Sequence, residues 1–320
     1  MRSAIVAAVA AFAGLCDPAA AQTWPSKPIR AVIPLTAGSA TDVVARMVLD
    51  QVSKQLGQPF VVENRGGAAG TIGTNAVAKA EPNGYTILVN SSSHTVFRAT
   101  FINPGFDVLT DFAAIAPLAS IPTVLVVNPS KGYKSIQDFV ATAKAKPGEL
   151  NFASAGIGNS THLAAERFNS SAGIKAQHIP FKGAPEAIAE VMGGRVDYYV
   201  PPVAAAMSLI KDGKLQALGI GSARRSSVLP NLPTTIEAGF AESNYEFWIG
   251  AFVARATPHD IVERLAKEFA AALKDNTVKA KLAALGADPM PMTPREFETY
   301  LANEIELNVK LAKSAGIAPH

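Results

Sequence analysis

Two glycine turns are the places in this 320-residue sequence where backbone groups could bind an anion. Gly38-Ser39 lies within IPLTAGSATDVVA and Gly156-Ile157-Gly158 within FASAGIGNSTHLAA, and each turn leads from an apolar run into an amphipathic segment. Glycine lets a ligand approach the backbone closely, and the unpaired N–H groups at a helix start attract negative charge. A third glycine-rich helix entry, ENRGGAAGTIG, is a weaker signal that a tight turn alone would explain.

The hydroxyl side chains after the two turns have two interpretations. Ser39, Thr41, Ser160 and Thr161 either cap their helices or donate hydrogen bonds to a ligand. For a single turn, capping alone is the better explanation. Two similar turns in separate α/β series favour a ligand, because two domains could present them to each other across one cleft.

Spacing excludes the common cofactor and metal sites. Position 161 is Thr where a dinucleotide fingerprint needs its third glycine, no Walker lysine follows the turns, and no serine fits G-x-S-x-G. The histidines at 94, 162, 178, 259 and 320 lack zinc-binding spacing, so we expect neither metal nor cofactor. His162, in the first turn of its helix, and His94, after three serines, could donate to a ligand carboxylate. A hydrogen bond to a residue that itself contacts the ligand is at least as consistent for both.

The composition is typical of a packed globular protein, with 48% hydrophobic and 17% charged residues. The net charge is only +3 and the basic residues are scattered, so nucleic acid is not expected as a partner. The N-terminus predicts an export signal, with Arg2, an apolar stretch at 4–15 and an A-x-A cleavage site at 19–21. Cleavage would remove residues 1–21, including Cys16, the single cysteine, and deliver the protein to the periplasm.

Strand-like and helical segments alternate through most of the chain, which predicts an α/β fold with largely parallel sheets. The first series contains the strands IRAVIPL, PFVVEN and YTILVN, and the second contains TVLVVNP, LNFAS, AQHIPF, VDYYV and LQALGIG. SARRSSVLPNLPTTIEAGF has the composition of a loop. After FWIGAFVARA, two amphipathic helices at roughly 258–285 and 294–315 close the chain.

Aromatic residues are few, so their placement matters for any pocket. The residues weighed as pocket walls are Phe97, Phe181, Tyr198, Tyr199 and Trp248. In strands such residues usually belong to the core. Phe181 and Tyr199 lie at or near strand ends, where α/β clefts collect ligands, and a place in the core or in a pocket wall is equally consistent for each.

Several long segments together resemble one family. The chain is similar to the extracytoplasmic receptors of tripartite tricarboxylate transporters, the Bug-type or TctC-like solute-binding proteins. The resemblance covers nearly the whole chain after residue 21, in the right order. The segments that carry it are WPSKPIRAVIPLTAGSATDVVAR, LGQPFVVENRGGAAGTIGTNAVAKAEPNGYTIL, LNFASAGIGNSTHLAAERF, HIPFKGAPEAIAEVMGGRVD and LPNLPTTIEAGF.

The resemblance implies a two-lobed periplasmic binding protein of the type II kind, with the ligand enclosed between lobes joined by a crossing hinge. Lobe 1 would comprise residues 22–124 and 228–320, and lobe 2 residues 125–227. Family members grip one carboxylate through loops that match Leu35–Asp42 and Ser154–His162. The ligand-binding residues predicted from the turns and the resemblance together are Leu35, Thr36, Gly38, Ser39, Ser92, Ser93, His94, Arg98, Ala155, Gly156, Ser160, Thr161, His162, Phe181 and Pro201.

Departures from the family pattern bear on the ligand. Gly38-Ser39-Ala40 stands where relatives commonly have three glycines, and Phe181 replaces the usual Tyr before Lys182-Gly183, which removes a hydroxyl. Pro201 stands where amino-acid-binding members place an Asp. Without that acid a ligand ammonium would have no partner, and burying an unpaired charge is costly. An amino-acid ligand is therefore disfavoured.

Arg98 suggests a sharper hypothesis about ligand choice. Many relatives have Asn-Pro where this chain has Phe97-Arg98. A guanidinium at the far end of the cleft could bind a second carboxylate bidentately, and Phe97 and Phe181 would suit an apolar or aromatic body. The ligand would then be a dicarboxylate such as an aromatic diacid. The alternative is a solvated surface arginine.

Three functions are compatible with these features. The first is a receptor that binds a carboxylate, closes around it and delivers it to a membrane permease, with no catalysis and, by analogy with the family, as a monomer. The second is a sensing subunit that passes ligand occupancy to a membrane kinase. The third is a secreted α/β hydrolase using Ser160 and His162, which is disfavoured because residues two apart point to different sides of a helix.

Overall fold

A computed structural model describes residues 24–319 of the chain. The predicted signal segment 1–21 and Cys16 lie outside the described residues. Among the helices of the described part, none combines the length and apolar character needed to cross a bilayer.

The first sheet contains β1 (Ile29–Ile33), β2 (Phe60–Asn64), β3 (Thr86–Ser91), β4 (Phe112–Pro122) and the last strand of the chain, β10 (Glu246–Ala254). Their order is β2-β1-β3-β10-β4. β1 pairs in parallel with β2 and β3, whereas β10 runs antiparallel between β3 and β4. The first glycine turn follows the carboxyl end of β1.

The second sheet contains β5 (Val124–Val127), β6 (Asn151–Ser154), β7 (Gln177–Pro180), β8 (Tyr198–Tyr199) and β9 (Gln216–Ile220). Their order is β7-β6-β8-β5-β9, with β6 parallel to both neighbours and β5 antiparallel to both of its own. The second glycine turn follows the carboxyl end of β6. The predicted α/β fold is confirmed, but both sheets are mixed rather than largely parallel, because β10 and β5 run against the strands beside them.

Ten α-helices cover the sheets of the described chain. They are α1 (Ala40–Leu56), α2 (Thr71–Ala78), α3 (Ser93–Thr100), α4 (Ile136–Ala145), α5 (Ser160–Ala172), α6 (Ala184–Met192), α7 (Val203–Lys211), α8 (His259–Lys274), α9 (Asn276–Ala284) and α10 (Pro294–Ser314). α1 illustrates why the sequence folds this way: Ser39 caps it, Val44, Val48 and Val52 form its buried face, and Gly57 ends it in the left-handed conformation at φ 69°.

The chain crosses between the two sheets at two places. β4 ends at Pro122 and β5 begins at Val124, and the Gly221 N–H donates to the Thr123 carbonyl at 2.8 Å beside this crossing. The return crossing enters β10, where the Tyr245 N–H donates to the Gly221 carbonyl at 2.9 Å.

The loop between β9 and β10 packs against the second sheet, since the N–H of Ile220, the last residue of β9, donates to the carbonyl of Pro233 in this loop at 3.0 Å. We therefore propose that the second lobe comprises residues 124–245, with a return crossing later than the predicted boundary at 227/228. α10 packs along α3 and β4 of the first lobe and also contacts α5 of the second.

Three elements differ from the sequence prediction. β4 and α3 were not anticipated; β4 is rich in alanine and carries Pro117, which disfavours a strand except at a sheet edge, where β4 lies. The single helix expected over 258–285 is two helices. Asp275 ends α8 in an extended conformation and caps α9 by accepting hydrogen bonds from Thr277 and Val278 N–H groups.

Candidate ligand-binding site

The first glycine turn is held in shape by Asp42 of α1. The buried Asp42 carboxylate accepts hydrogen bonds from the Gly38 N–H at 3.0 Å, from Asn64 Nδ2 at 2.9 Å and from Arg46 Nε at 2.8 Å. Ser39 caps α1 by accepting a bond from the Asp42 N–H at 3.3 Å. The Gly38 N–H, predicted to face a ligand, is therefore used inside the turn.

Thr36 and Thr41 carry hydroxyls that remain available beside this turn. Both Oγ1 atoms are buried and have no hydrogen-bond partner among the described residues. A buried hydroxyl without a partner is costly unless some group satisfies it. Thr41 lies in the first turn of α1, where the helix dipole favours a negative group. The Leu35 carbonyl nearby accepts a bond from Asn64 Nδ2 at 3.2 Å.

Local side chains satisfy most N–H groups of the second glycine turn. Asn159 caps α5 by accepting the Thr161 N–H at 2.9 Å. The Ala155 N–H donates to Thr161 Oγ1 at 3.0 Å, and the Gly156 N–H donates to Ser154 Oγ at 3.1 Å. The Gly158 N–H donates to His162 Nδ1 at 3.2 Å. The expectation that this turn leaves several N–H groups unpaired is wrong, because short polar side chains bond readily to nearby backbone.

Hydrogen bonds join the lobes beside the second turn. The Ser160 N–H donates to Ser93 Oγ at 3.1 Å, and the Ser93 hydroxyl donates to Ser160 Oγ at 3.0 Å. Thr100 Oγ1 of the first lobe donates to the Gly158 carbonyl at 3.3 Å. Both ends of α3 therefore contact the second lobe; the sequence predicted Ser93 only as a ligand-binding residue, which stays a prediction, and gave no role to Thr100.

The third glycine-rich segment also reaches the lobe boundary. A Cβ atom on Gly156 would lie 3.3 Å from the Ala69 Cα, which shows how closely the two backbones approach. Ala68 and Ala69 adopt positive φ angles of 44° and 56°. Such a conformation costs alanine roughly 1–2 kcal/mol per residue and persists where the surrounding structure requires it. This segment therefore lies at the lobe boundary beside the second glycine turn.

Phe181 and Gly183 place the start of α6 against the site. The Phe181 N–H donates to the Ser154 carbonyl at 3.0 Å, and its side chain is half-buried. Gly183 packs directly on Thr36 of the first lobe, since a Cβ atom there would lie only 2.1 Å from Thr36 Oγ1. Phe181 borders the second turn, and its contact with a ligand stays a prediction.

His94 lies in the aromatic core of the first lobe. Its ring is completely buried, stacks on Phe252 with centroids 4.2 Å apart and meets Phe112 edge-on at 5.1 Å. Burial lowers the pKa of His94 to about 3, so the imidazole is neutral near pH 7. The ring packs in this core, and donation from His94 to a ligand stays a prediction.

Arg98 forms an ion pair on the surface of the first lobe. Its guanidinium lies 3.0 Å from the Asp107 carboxylate, and its side chain is 45% exposed. It borders an open groove formed with Val309, Lys313 and the C-terminal residues 316–319. Contact between Arg98 and a second carboxylate of the ligand stays a prediction. The ion pair with Asp107 favours the alternative, in which Arg98 is a solvated surface residue.

The remaining predicted residues lie around the crossing and in the core. Ser92 is fully buried directly before α3, and the Pro201 carbonyl accepts a bond from the Val124 N–H at 2.9 Å beside the crossing. Ligand contacts for these two residues stay predictions. Four of the five aromatic residues weighed as pocket walls are fully buried in the core: Phe97, Tyr198, Tyr199 and Trp248.

The arrangement of Ser160 and His162 does not support a hydrolase. Ser160 Oγ bonds to Ser93 and to Asn159 Oδ1, while His162 Nδ1 accepts the Gly158 N–H, so the two residues do not form a nucleophile–base pair through these atoms. Within residues 24–319, no cluster of three or more His, Cys, Asp or Glu side chains is placed to hold a metal ion.

Known proteins are similar in sequence to this chain over most of its length. The pattern of the tripartite tricarboxylate transporter family receptor (TctC) matches residues 44–317. BugT of Bordetella pertussis is 34% identical over 315 residues, which cover 98% of this chain and 97% of that protein.

Solved structures with bound acids share the fold. Rpa4515 of R. palustris, solved with adipate, has 31% identity and a TM-score of 0.90, and the match covers 93% of this chain and 100% of that one. MatC of Rhodopseudomonas palustris, solved with bound malate, has 29% identity and a TM-score of 0.86, with 90% and 99% covered.

Proposed function

The chain belongs to the tripartite tricarboxylate transporter receptor family, and on that basis we propose that it is a periplasmic receptor that captures an organic dicarboxylate and delivers it to a membrane permease. The family consists of substrate-binding receptors, so the expectation that the chain is not an enzyme is confirmed. Binding would favour the closed arrangement, because a ligand that contacts both lobes stabilises only that form.

The unpartnered hydroxyls of Thr36 and Thr41 are the observation that carries this proposal. Both oxygens are buried, Thr36 Oγ1 in the loop before α1 and Thr41 Oγ1 in the first turn of α1, and Thr36 also packs on Gly183 of the second lobe. A carboxylate accepts hydrogen bonds from two hydroxyls at once, and bonds to a charged acceptor are stronger than neutral ones. We infer that these hydroxyls bind one carboxylate of the ligand, beside the second turn at 154–161.

Two relatives of known structure support a dicarboxylate as the ligand. Their structures contain adipate and malate, which are both diacids, at about 30% identity to this chain. Pro201, in place of an acidic residue, gives a ligand ammonium no partner at that position, which disfavours amino acids.

Export to the periplasm is supported by two features. The N-terminal pattern at 1–21 is typical of a signal segment, and a relative with a TM-score of 0.89 is described as the periplasmic binding protein BugD. N-terminal sequencing of protein from the periplasmic fraction tests this part of the proposal. Recovery of the uncleaved chain in the cytoplasm would contradict it.

A thermal-shift screen tests the proposed binding. We expect a diacid from a panel with adipate, malate, terephthalate, citrate and benzoate to raise the melting temperature (Tm) in a concentration-dependent way, because a ligand selective for the folded state stabilises it by mass action. Thr36→Val and Thr41→Val keep the side-chain shape and should each reduce affinity about tenfold or more, since each removes one hydrogen bond to a charged group. Thr299→Val, on the outer face of α10, is the matched control. Failure of every acid to shift Tm, or wild-type affinity in both variants, would contradict the proposal.

A further inference from the structure

Two histidine rings stack directly behind the second glycine turn. His162 lies on α5 and His178 on β7, with ring centroids 3.7 Å apart and planes inclined by only 9°. Phe152 of β6 stacks on the His178 ring at 4.9 Å. The imidazoles therefore form an ordered stack between the strands and the helix that carry the turn.

Each end of the turn is tied to one of these rings. At one end, the Gly158 N–H donates to His162 Nδ1 at 3.2 Å. At the other end, Ser154 Oγ accepts the Gly156 N–H at 3.1 Å and lies 2.6 Å from His178 Nε2. The shape of residues 156–158 thus depends on whether the facing nitrogen of each imidazole is a hydrogen-bond donor or acceptor.

The contact from Gly158 fixes the protonation state of His162. An imidazole nitrogen that accepts a hydrogen bond carries no proton, so neutral His162 holds its proton on Nε2. That atom faces the Glu166 carboxylate on the same helix at 3.8 Å. Protonation of Nδ1 would set two N–H donors against each other and push Gly158 away.

Glu166 from its own helix and His178 from the adjacent strand are titratable groups that face His162. Burial lowers the pKa of His178 to about 4 and raises the pKa of Glu166. Two stacked rings at 3.7 Å also resist double protonation, because like charges repel strongly at that distance. Burial therefore keeps His178 neutral near pH 7, and the stacking opposes a charge on both rings at once.

Provided that the turn contacts the ligand as in the proposed function, we propose that His162 and His178 are positioning residues that hold Gly156–Gly158 in its ligand-binding shape while His162 Nδ1 is unprotonated. His162 then acts through Gly158 and not as a donor to the ligand carboxylate, the other role that the sequence left open. Acidification would release the turn and weaken binding.

Nuclear magnetic resonance of ligand-free protein with ¹⁵N-labelled glycine tests the positioning directly. From pH 8 to pH 4, the Gly158 amide resonance should shift with the same midpoint as the His162 ring. His162→Asn presents an amide oxygen near the position of Nδ1, so it should keep the neutral-pH turn and remove this titration. His178→Phe should preserve the stack and change the Gly156 resonance. Gly158 shifts that do not follow His162, or that persist unchanged in His162→Asn, would overturn the proposal.

Binding provides a second readout at pH 7.5, with adipate, malate and terephthalate as probes. His162→Asn should stay within about threefold of wild-type affinity, His162→Phe should lose at least tenfold, and His259→Gln, an exposed histidine of the first lobe, should change nothing. Equal affinity of His162→Phe and wild type would overturn the positioning role. If wild-type protein binds none of the three acids, the proposed function fails and the glycine titration alone decides this inference.

Discussion

Ser93 Oγ in the first lobe accepts a hydrogen bond from the Ser160 N–H in the second lobe at 3.1 Å and donates one to Ser160 Oγ at 3.0 Å. Both residues are completely buried. The pair is therefore a direct polar bridge across the lobe boundary. Any ligand held by both lobes requires the arrangement that this bridge stabilises.

Removal of the bridge should weaken ligand binding. In Ser93→Ala the two hydrogen bonds of this bridge are lost and the Ser160 N–H is left buried without an acceptor, which costs about 1–3 kcal/mol when the lobes are in contact. We expect the dissociation constant of the diacid with the largest thermal shift to rise roughly 5- to 100-fold in isothermal titration calorimetry. Ser130→Ala, at an exposed position of the second lobe, is the control. Unchanged affinity in Ser93→Ala would show that the bridge does not contribute to closure.

A methyl group at Gly183 should hold the lobes apart. The backbone there is extended, with φ −178°, so alanine fits the local conformation, but its Cβ would lie 2.1 Å from Thr36 Oγ1. Gly183→Ala should therefore lose at least a hundredfold in affinity while its unliganded Tm stays within about 2 °C of wild type. Small-angle X-ray scattering should report a larger radius of gyration.

Gly193→Ala is the matched control for that variant. Gly193 also has an ordinary φ of −74°, and the nearest atoms to its added Cβ belong to the end of the flexible Arg195 side chain. It should bind ligand normally. If Gly183→Ala closes and binds like wild type, the contact between Gly183 and Thr36 does not limit closure.

Replacement of Arg98 should affect diacids and monoacids alike. Because its guanidinium pairs with Asp107 on the surface, Arg98→Ala should change the affinity for adipate and for hexanoate by less than about threefold each. Calorimetric titration of both acids checks this. A loss confined to adipate would instead support a second-carboxylate contact.

Stability should fall as pH rises because of Glu304 on α10. This buried carboxyl accepts hydrogen bonds from Thr95 Oγ1 at 2.7 Å and Trp248 Nε1 at 2.6 Å, and burial raises its pKa from the ordinary 4.5 to about 7. The folded state therefore binds a proton more tightly than the unfolded state. Its contribution is complete below pH 4.5 and is lost as pH rises through 7, by about 3 kcal/mol in total.

Urea unfolding between pH 4.5 and pH 8 measures this loss. Glu304→Gln cannot titrate and should have a flatter profile, whereas Glu298→Gln, at an exposed ion pair with Arg255, should follow wild type. Parallel profiles for Glu304→Gln and wild type would assign the pH dependence to other groups.

Local sequence patterns predicted where the two glycine turns lie. They could not predict the contacts of these turns with residues distant in the sequence. Ser39 before α1 and Asn159 before α5 are helix caps whose signals lie within three residues. The bond between Ser93 and Ser160 joins residues 67 apart, and no local pattern reports such a contact.

Short-range patterns also left the roles of His94 and His162 open. Both follow serines or threonine near a strand end, yet one ring packs on Phe252 and the other accepts a bond from Gly158. Whether such a side chain belongs to the core or to a site depends on its neighbours in space. For His94, one such neighbour is Phe252 of β10. Gly183 gave no signal of its own, because its role depends on Thr36 in the other lobe.

A crystal structure of the protein with the diacid that gives the largest thermal shift tests the carboxylate site most directly. We predict one carboxylate within hydrogen-bond distance of Thr36 and Thr41 Oγ1, with the second lobe closed over it through residues 154–161. Density for the acid at any other position, with both glycine turns empty, would contradict the binding mode.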